Sequence, residues 1–295
     1  MPSTSRLRRA FGVLAAAALA GAAMTGTAVA QDEGGYHPQP HYYVSLGDSL
    51  AAGYQPNVRT NTDVSYTDQL YTRLKQHDPS LVHIKLGCSG ETTETMILGG
   101  ICSYPGATSQ LGAAEAFLRA HRGQVKYVTL DIGANDVDGC LSATGIDQAC
   151  TVKGIATVAT QLPYIASGLR RAGGEGWRAP QYAGMNYYDP FLAVWLTGAT
   201  GQAEAKQSTV LSDTLNGVID RGLRYSGFKL ADVSKAFATD DFTDQATLPA
   251  FGTVPLNVAR ICAWTWECTQ YQDIHANPTG HAVIAGVFEK VLRHR

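Results

Sequence analysis

Charge is scarce in this sequence. Asp, Glu, Lys and Arg make up only 16% of the 295 residues, and the two signs nearly cancel at a formal net charge of −2. So balanced a chain gives no reason to expect nucleic acid or a generic anionic membrane as partner. No internal repeat is visible, and no linker divides the chain, which excludes a solenoid or a string of modules. C-x-x-C spacing is also missing, and with it the usual support for a zinc site. What is present is a globular composition: 45% hydrophobic residues with 31 Gly and 12 Pro. That excludes a disordered chain, a collagen and a coiled coil, and the length allows a real core.

The N-terminus follows a different pattern from the rest. Arg6, Arg8 and Arg9 precede an apolar, Ala-rich run from Phe11 to Met24, and Ala28-Val29-Ala30 stands before Gln31. Residues 1–30 therefore read as a secretory signal peptide. An uncleaved anchor is the competing reading, but the apolar run is short for a membrane span, so no stable membrane anchor is expected. Residues 31–41 carry Gly, Pro and polar groups and read as a flexible lead-in to a domain spanning 42–295. A secreted, extracellular chain suits the six cysteines, an even number that suggests three disulfides. Pairing of neighbours is the simplest arrangement: Cys88 with Cys102, Cys140 with Cys150, and Cys262 with Cys268.

Strand and helix patterns alternate from residue 42 onward. Short apolar strands are expected at 42–47, 82–87, 126–133, 181–186 and 228–233. Helices are expected at 63–76, 109–121, 151–172, 202–225 and 278–293. Within 151–172, Ile155, Val158, Leu162, Ile165 and Leu169 fall at helical spacing, with Pro163 as a point of kinking. Ser109 and Asn277 are N-cap candidates. The alternation implies an α/β domain with a parallel sheet covered by helices on both faces. Residues 234–272 break the pattern and read as a long irregular excursion.

Three turns follow the first three strands: Gly47-Asp48-Ser49-Leu50, Gly87-Cys88-Ser89-Gly90 and Gly133-Ala134-Asn135-Asp136. Ligands of open parallel sheets bind beyond the C-terminal strand ends, so these turns are expected to converge. Together they offer a hydroxyl, a glycine N–H and a side-chain amide, which acyl transfer needs as nucleophile and oxyanion donors. Ser49 requires a base, and His275, just before the last helix, is the best candidate. Asp273 is near enough to orient its ring. The order Ser, Asp, His matches α/β-hydrolases, but a G-x-S-x-G elbow is absent because Ala51 stands where it needs glycine.

These blocks resemble the SGNH/GDSL hydrolases, in particular their secreted, disulfide-bearing actinobacterial-type esterase and lipase branch. Gly47-Asp48-Ser49-Leu50, Gly90, Gly133-x-Asn135-Asp136 and Asp273-x-His275 match in order across residues 42–281. The resemblance implies a flavodoxin-like three-layer α/β/α sandwich with a five-stranded parallel sheet, and hydrolysis of carboxylic esters without metal or other cofactor. It makes Ser49 the nucleophile, His275 the base, and the Ser49 N–H, the Gly90 N–H and the Asn135 side chain the oxyanion hole. Many members place the acid three residues before the histidine, where this chain has Gln272. Either Asp273 or a Gln272 carbonyl is therefore open as the partner of His275.

Each residue also has a plainer reading. A Gly-Asp-Ser turn is often only a turn, with Asp48 holding backbone. Asn135 and Asp136 could cap a helix. His77, His83 and His121 read as surface groups. Asp131 falls on a buried strand and needs a partner. Trp264, Trp266 and Tyr271 are core filler or walls of an acyl or leaving-group pocket. The expected enzyme is a monomeric esterase or lipase acting on a small-molecule or lipid ester. The alternatives are a polysaccharide O-deacetylase and a secreted binding protein on the same scaffold without catalysis.

Overall fold

The computed structural model describes residues 39–142 and 145–292; the expected signal segment, nearly all of the lead-in and the last three residues lie outside them. Five strands form the central sheet: β1 (His41–Gly47), β2 (Leu81–Lys85), β3 (Val125–Asp131), β4 (Gln181–Met185) and β5 (Lys229–Ala231). All neighbours pair in parallel, in the order β2-β1-β3-β4-β5. That is the flavodoxin-like winding, whose direction reverses between β1 and β3 and opens a crevice at their C-terminal ends.

Between the strands run α1 (Ser49–Ala52), α2 (Tyr66–His77), α3 (Thr93–Leu98), α4 (Gln110–Ala120), α5 (Asn135–Asp138), α6 (Gln148–Gly173) and α7 (Ala199–Tyr225). After β5 come α8 (Val233–Phe237), α9 (Leu256–Trp264) and α10 (Pro278–Val291). α2 packs on α10, while α4 and α7 flank α6, so the sheet is the middle of three layers. Burial on both faces explains why β1 and β3 are nearly continuous apolar runs: Tyr43, Val44, Leu46, Val128 and Leu130 are all buried.

Local chemistry sets the helix ends. α2 begins at Tyr66, three residues later than the apolar pattern suggests, because Ser65 and Asp68 form a reciprocal capping box. Ser109 caps α4 through the Gly112 N–H, and Asn277 caps α10 through the N–H groups of Thr279 and Gly280. α6 runs through Pro163 and buries Val158, Leu162, Ile165 and Leu169 against the sheet side of the molecule. Residues 234–272 are not irregular, contrary to the sequence reading. They hold α8, a hairpin pairing Gln245–Leu248 with Gly252–Pro255, and α9. Short strands and helices of five and nine residues carry too few residues for their period to register. Among the described residues, no helix is long and apolar enough to cross a membrane.

Candidate active site

The turn after β1 is held from below. Gly47 has φ +149°, and a Cβ there would lie 2.1 Å from Asp131 Oδ1, so only glycine fits. The buried Gln110 side chain clamps this residue. Its Oε1 accepts from the Gly47 N–H at 2.6 Å, and its Nε2 donates to the Gly47 carbonyl at 3.0 Å and to Glu91 Oε2 at 2.8 Å. Asp48 is buried as well: Oδ1 accepts from Leu50 N at 2.9 Å and Oδ2 from the Tyr187 hydroxyl at 2.6 Å. Both of its oxygens are thus engaged in fixing the turn, which aims Ser49 from the first position of α1.

The strand Asp273–Ala276 meets that turn from the far end of the chain. His275 Nε2 is 2.8 Å from Ser49 Oγ, across 226 positions of sequence. His275 Nδ1 is 2.6 Å from Asp273 Oδ1, the same oxygen that accepts the His275 backbone N–H at 2.9 Å. Spacing explains the pairing, since residues two apart on a strand share a face. Gln272, in the left-handed region at φ +44°, turns the chain just before. Tyr188 donates to the Ile274 carbonyl and Gln55 to the Ala276 carbonyl, bracing the strand on either side of the imidazole. The Tyr54 ring lies 4.8 Å from that of His275.

The second and third turns are stitched to each other. Asn135 Nδ2 donates to the Glu91 carbonyl at 2.9 Å, and Asp136 accepts from the Thr93 N–H and hydroxyl at the start of α3. Gly90 has φ +82° with open space where a Cβ would stand, so backbone conformation rather than crowding calls for glycine. Disulfides join Cys88 to Cys102, Cys140 to Cys150 and Cys262 to Cys268, pairing each cysteine with its neighbour. Beside Ser49, Asn135 and His275 opens a cavity of about 100 Å³, walled by Val137, Ile155, Phe191, Leu211 and Leu215 among others.

A family model of GDSL-like lipases and acylhydrolases matches residues 45–283, a span that runs from β1 into α10. The chain belongs to the GDSL-like lipase/acylhydrolase family. No curated protein matches it. Among solved structures, this GDSL-family chain is similar to an extracellular lipase from Streptomyces rimosus, with TM-score 0.55 and 18% identity over 85% of this chain and 99% of that one. It is similar also to the lipase Lip_vut3 from a goat rumen metagenome, with TM-score 0.51 and 14% identity over 85% and 97%. At such identities the likeness is one of fold.

The carboxyls of this GDSL-family site lie in contrasting environments. Burial works against ionisation of Asp273, but the hydrogen bonds from the His275 ring and backbone outweigh it and hold the pKa below the usual carboxylate range. Asp138 is pushed up to about 7, first by burial and then by the neighbouring Asp48. Asp131 is also raised, well above the usual carboxylate range, for the same two reasons. Its partner is the Tyr66 hydroxyl, 2.5 Å from Oδ1.

One sequence expectation needs correcting, and one choice left open by the sequence is narrowed. His83 is not a surface group: its side chain is 8% exposed, bonds Ser45 Oγ and stacks on Tyr43, because the β1–β2 register sets it beside Tyr43 on one face of the sheet. Trp264, Trp266 and Tyr271 do not line the cavity; Trp264 packs on Phe237, and Trp266 bonds Gln55 and meets Tyr271. The aromatic wall is Tyr187, Tyr188 and Phe191, from the segment after β4. Sequence reading also missed Gln110, Glu91 and Tyr187. No local pattern marks them, since each acts on a residue far away in the chain.

Proposed function

We propose that this chain is a secreted serine hydrolase that cleaves carboxylic esters through an acyl-enzyme on Ser49. The contact that carries this reading is the unbroken series Ser49 Oγ, His275 Nε2, His275 Nδ1, Asp273 Oδ1, with links of 2.8 and 2.6 Å, opening on an apolar cavity. His275 takes the Ser49 proton as the hydroxyl attacks the ester carbonyl. Asp273, kept ionised by its hydrogen bonds, stabilises the imidazolium and fixes the ring so that Nε2 faces the serine.

The carbonyl oxygen becomes an oxyanion. Its donors are the Ser49 N–H, which opens α1 and has no partner within that helix, the Gly90 N–H, and Asn135. An amide NH₂ has two protons. Asn135 spends one on the Glu91 carbonyl, which leaves the second for the oxyanion. The alcohol departs with the proton from His275, and water repeats the sequence on the acyl-enzyme. Three disulfides suit an oxidising compartment and support the secretory reading of residues 1–30.

The test is covalent labelling with a fluorophosphonate, which requires an activated serine. Wild-type protein is expected to label at one site that disappears in Ser49→Ala. Failure of the wild type to label, with the fold intact by circular dichroism, would refute the enzyme reading and favour a binding protein. A hydrolysis profile over acyl esters of rising length, with an acetylated glycan, then separates lipase from esterase and O-deacetylase.

A further inference from the structure

Three buried side-chain atoms have no hydrogen-bond partner among the described residues: Gln161 Oε1, His281 Nε2 and Asp131 Oδ2. The last stands under the turn that carries Ser49. Gly47, where that turn begins, pairs with Asp131 in the β1–β3 ladder and lacks the Cβ that would collide with Oδ1. Asp131 is wholly buried. Its Oδ1 accepts from the Tyr66 hydroxyl at 2.5 Å, from the start of α2. Its other oxygen closes no hydrogen bond, although the Asp48 carboxyl lies within reach.

Two carboxylates offer each other only acceptors. Ionised together away from water they repel, and the bare oxygen stays unpaired. One proton removes both faults, because a carboxylic O–H donates to a neighbouring carboxylate. The surroundings decide which acid holds it. Asp48 has two donors that stabilise a charge, the Leu50 N–H on Oδ1 and the Tyr187 hydroxyl on Oδ2. Asp131 has the Tyr66 hydroxyl, with the Asp48 N–H nearby but not closing on Oδ2. The titratable groups facing Asp131 are Asp48 from the turn, Tyr66 from α2, Tyr43 from β1 and Tyr187 from the segment after β4. None of them carries positive charge at any pH. Burial first, and then the Asp48 charge, push the Asp131 pKa well up, in agreement with the geometry.

We propose that Asp131 is a positioning residue for Ser49: its carboxylic acid donates through Oδ2 to Asp48 and holds the Gly47–Ser49 turn from below. The inference rests on the serine-hydrolase reading above and adds to it an acid that works only while it keeps its proton. Tyr66, Asp131, Asp48 and Tyr187 then form one series of hydrogen bonds from α2, under the turn, to the cavity wall. Loss of the proton would set two negative charges under Ser49 and move its hydroxyl away from His275 Nε2, now at 2.8 Å.

The experiment pairs infrared spectroscopy with kinetics. The difference spectrum of wild type minus Asp131→Asn is taken at about pH 8, where ordinary carboxyls are ionised. It is expected to show the carbonyl band of a protonated carboxylic acid, present in the wild type and missing from the variant. Asp131→Asn keeps the shape, donates to Asp48 and accepts from Tyr66, so its kcat is expected within about threefold of wild type. Asp131→Leu removes donor and acceptor together, so kcat per folded molecule is expected to fall roughly tenfold or more. KM should hold, because Asp131 does not line the cavity. The band and the Asp131→Asn rate report even where Asp131→Leu does not fold. Absence of the band, or a loss in Asp131→Asn as large as in Asp131→Leu, overturns the proposal while leaving ester hydrolysis intact. No turnover of any ester by the wild type overturns both.

Discussion

Replacing Asp273 by Asn tests the least conventional member of the site, an acid two residues before its histidine. In the structure its Oδ1 receives both the ring Nδ1 at 2.6 Å and the backbone N–H of His275 at 2.9 Å. Asn can still accept through its oxygen, so the strand geometry survives, but the charge that stabilises an imidazolium is gone. The amide can also turn its NH₂ toward Nδ1 and stabilise the tautomer that has no free Nε2 to act as base. A hydrogen bond to a charged group contributes about 1.5–3 kcal/mol, and a wrong tautomer costs more. The expected loss in kcat is roughly 10²–10⁴, or about 3–5 kcal/mol at the transition state. Steady-state hydrolysis of a soluble ester measures it, with the rate of fluorophosphonate labelling as a second readout and a urea melt to verify folding. KM should change little, since Asp273 does not line the cavity. Retention of more than a tenth of wild-type kcat by the folded variant would refute the reasoning. A backbone carbonyl such as that of Gln272 would then be the group orienting the ring.

Gln110→Leu removes the clamp on Gly47 and leaves its buried N–H unpaired, while its carbonyl keeps the Cys88 N–H, so a loss of about 1–3 kcal/mol is expected in a urea melt, together with a fall in kcat. An unchanged melt would mean that water replaces the clamp. Each disulfide pins a loop near one site residue: Cys88 two positions before Gly90, Cys140 five after Asn135, and Cys268 seven before His275. Each bond contributes about 2–4 kcal/mol globally, so a reductant titration should lower turnover before near-UV circular dichroism is lost; simultaneous loss would contradict a local role. Burial lowers the pKa of His281 to about 3, below the 6.5 of the exposed group, so the unfolded chain takes up a proton between these values and the native state does not. The stability this residue contributes is therefore present above pH 6.5 and lost as pH falls toward 3. His281→Asn keeps an acceptor for the Tyr66 N–H, and the stability difference between wild type and variant should shrink by about 1.4 kcal/mol per pH unit across that window. Parallel stability curves would rule out the assignment.

Much of this architecture was legible because its signals are local. The apolar strands, the amphipathic run of α6 and the capping residues Ser109 and Asn277 each act within a few positions of themselves. The placement of Ser49, Gly90, Asn135 and His275 was legible for another reason: each follows a strand end or precedes a helix, where open parallel sheets gather ligands. The supports of the site were not. Gln110 opens α4 like any helix residue, and only the fold brings it under Gly47, 63 positions away. Tyr187 reaches Asp48 across 139 positions. The excursion 234–272 hid its hairpin and helices because each is shorter than the window over which a hydrophobic period can be read.

Asp131 shows how the site tolerates its many acids. Gly47 passes so close over this carboxyl that no side chain fits between them, and Asp48 stands next to it. Two ionised carboxylates packed this tightly away from water would repel strongly. Burial drives the Asp131 pKa well up and so disfavours a second charge beside Asp48, and the Tyr66 hydroxyl bonds Oδ1. Asp273 is treated in the opposite way, since two N–H donors hold its pKa down. Environments that push similar groups apart assign them different work. Negative charge is disfavoured beneath the turn that carries Ser49, where it would oppose the oxyanion of the proposed reaction. It is kept beside His275 Nδ1, where the proposed reaction develops positive charge.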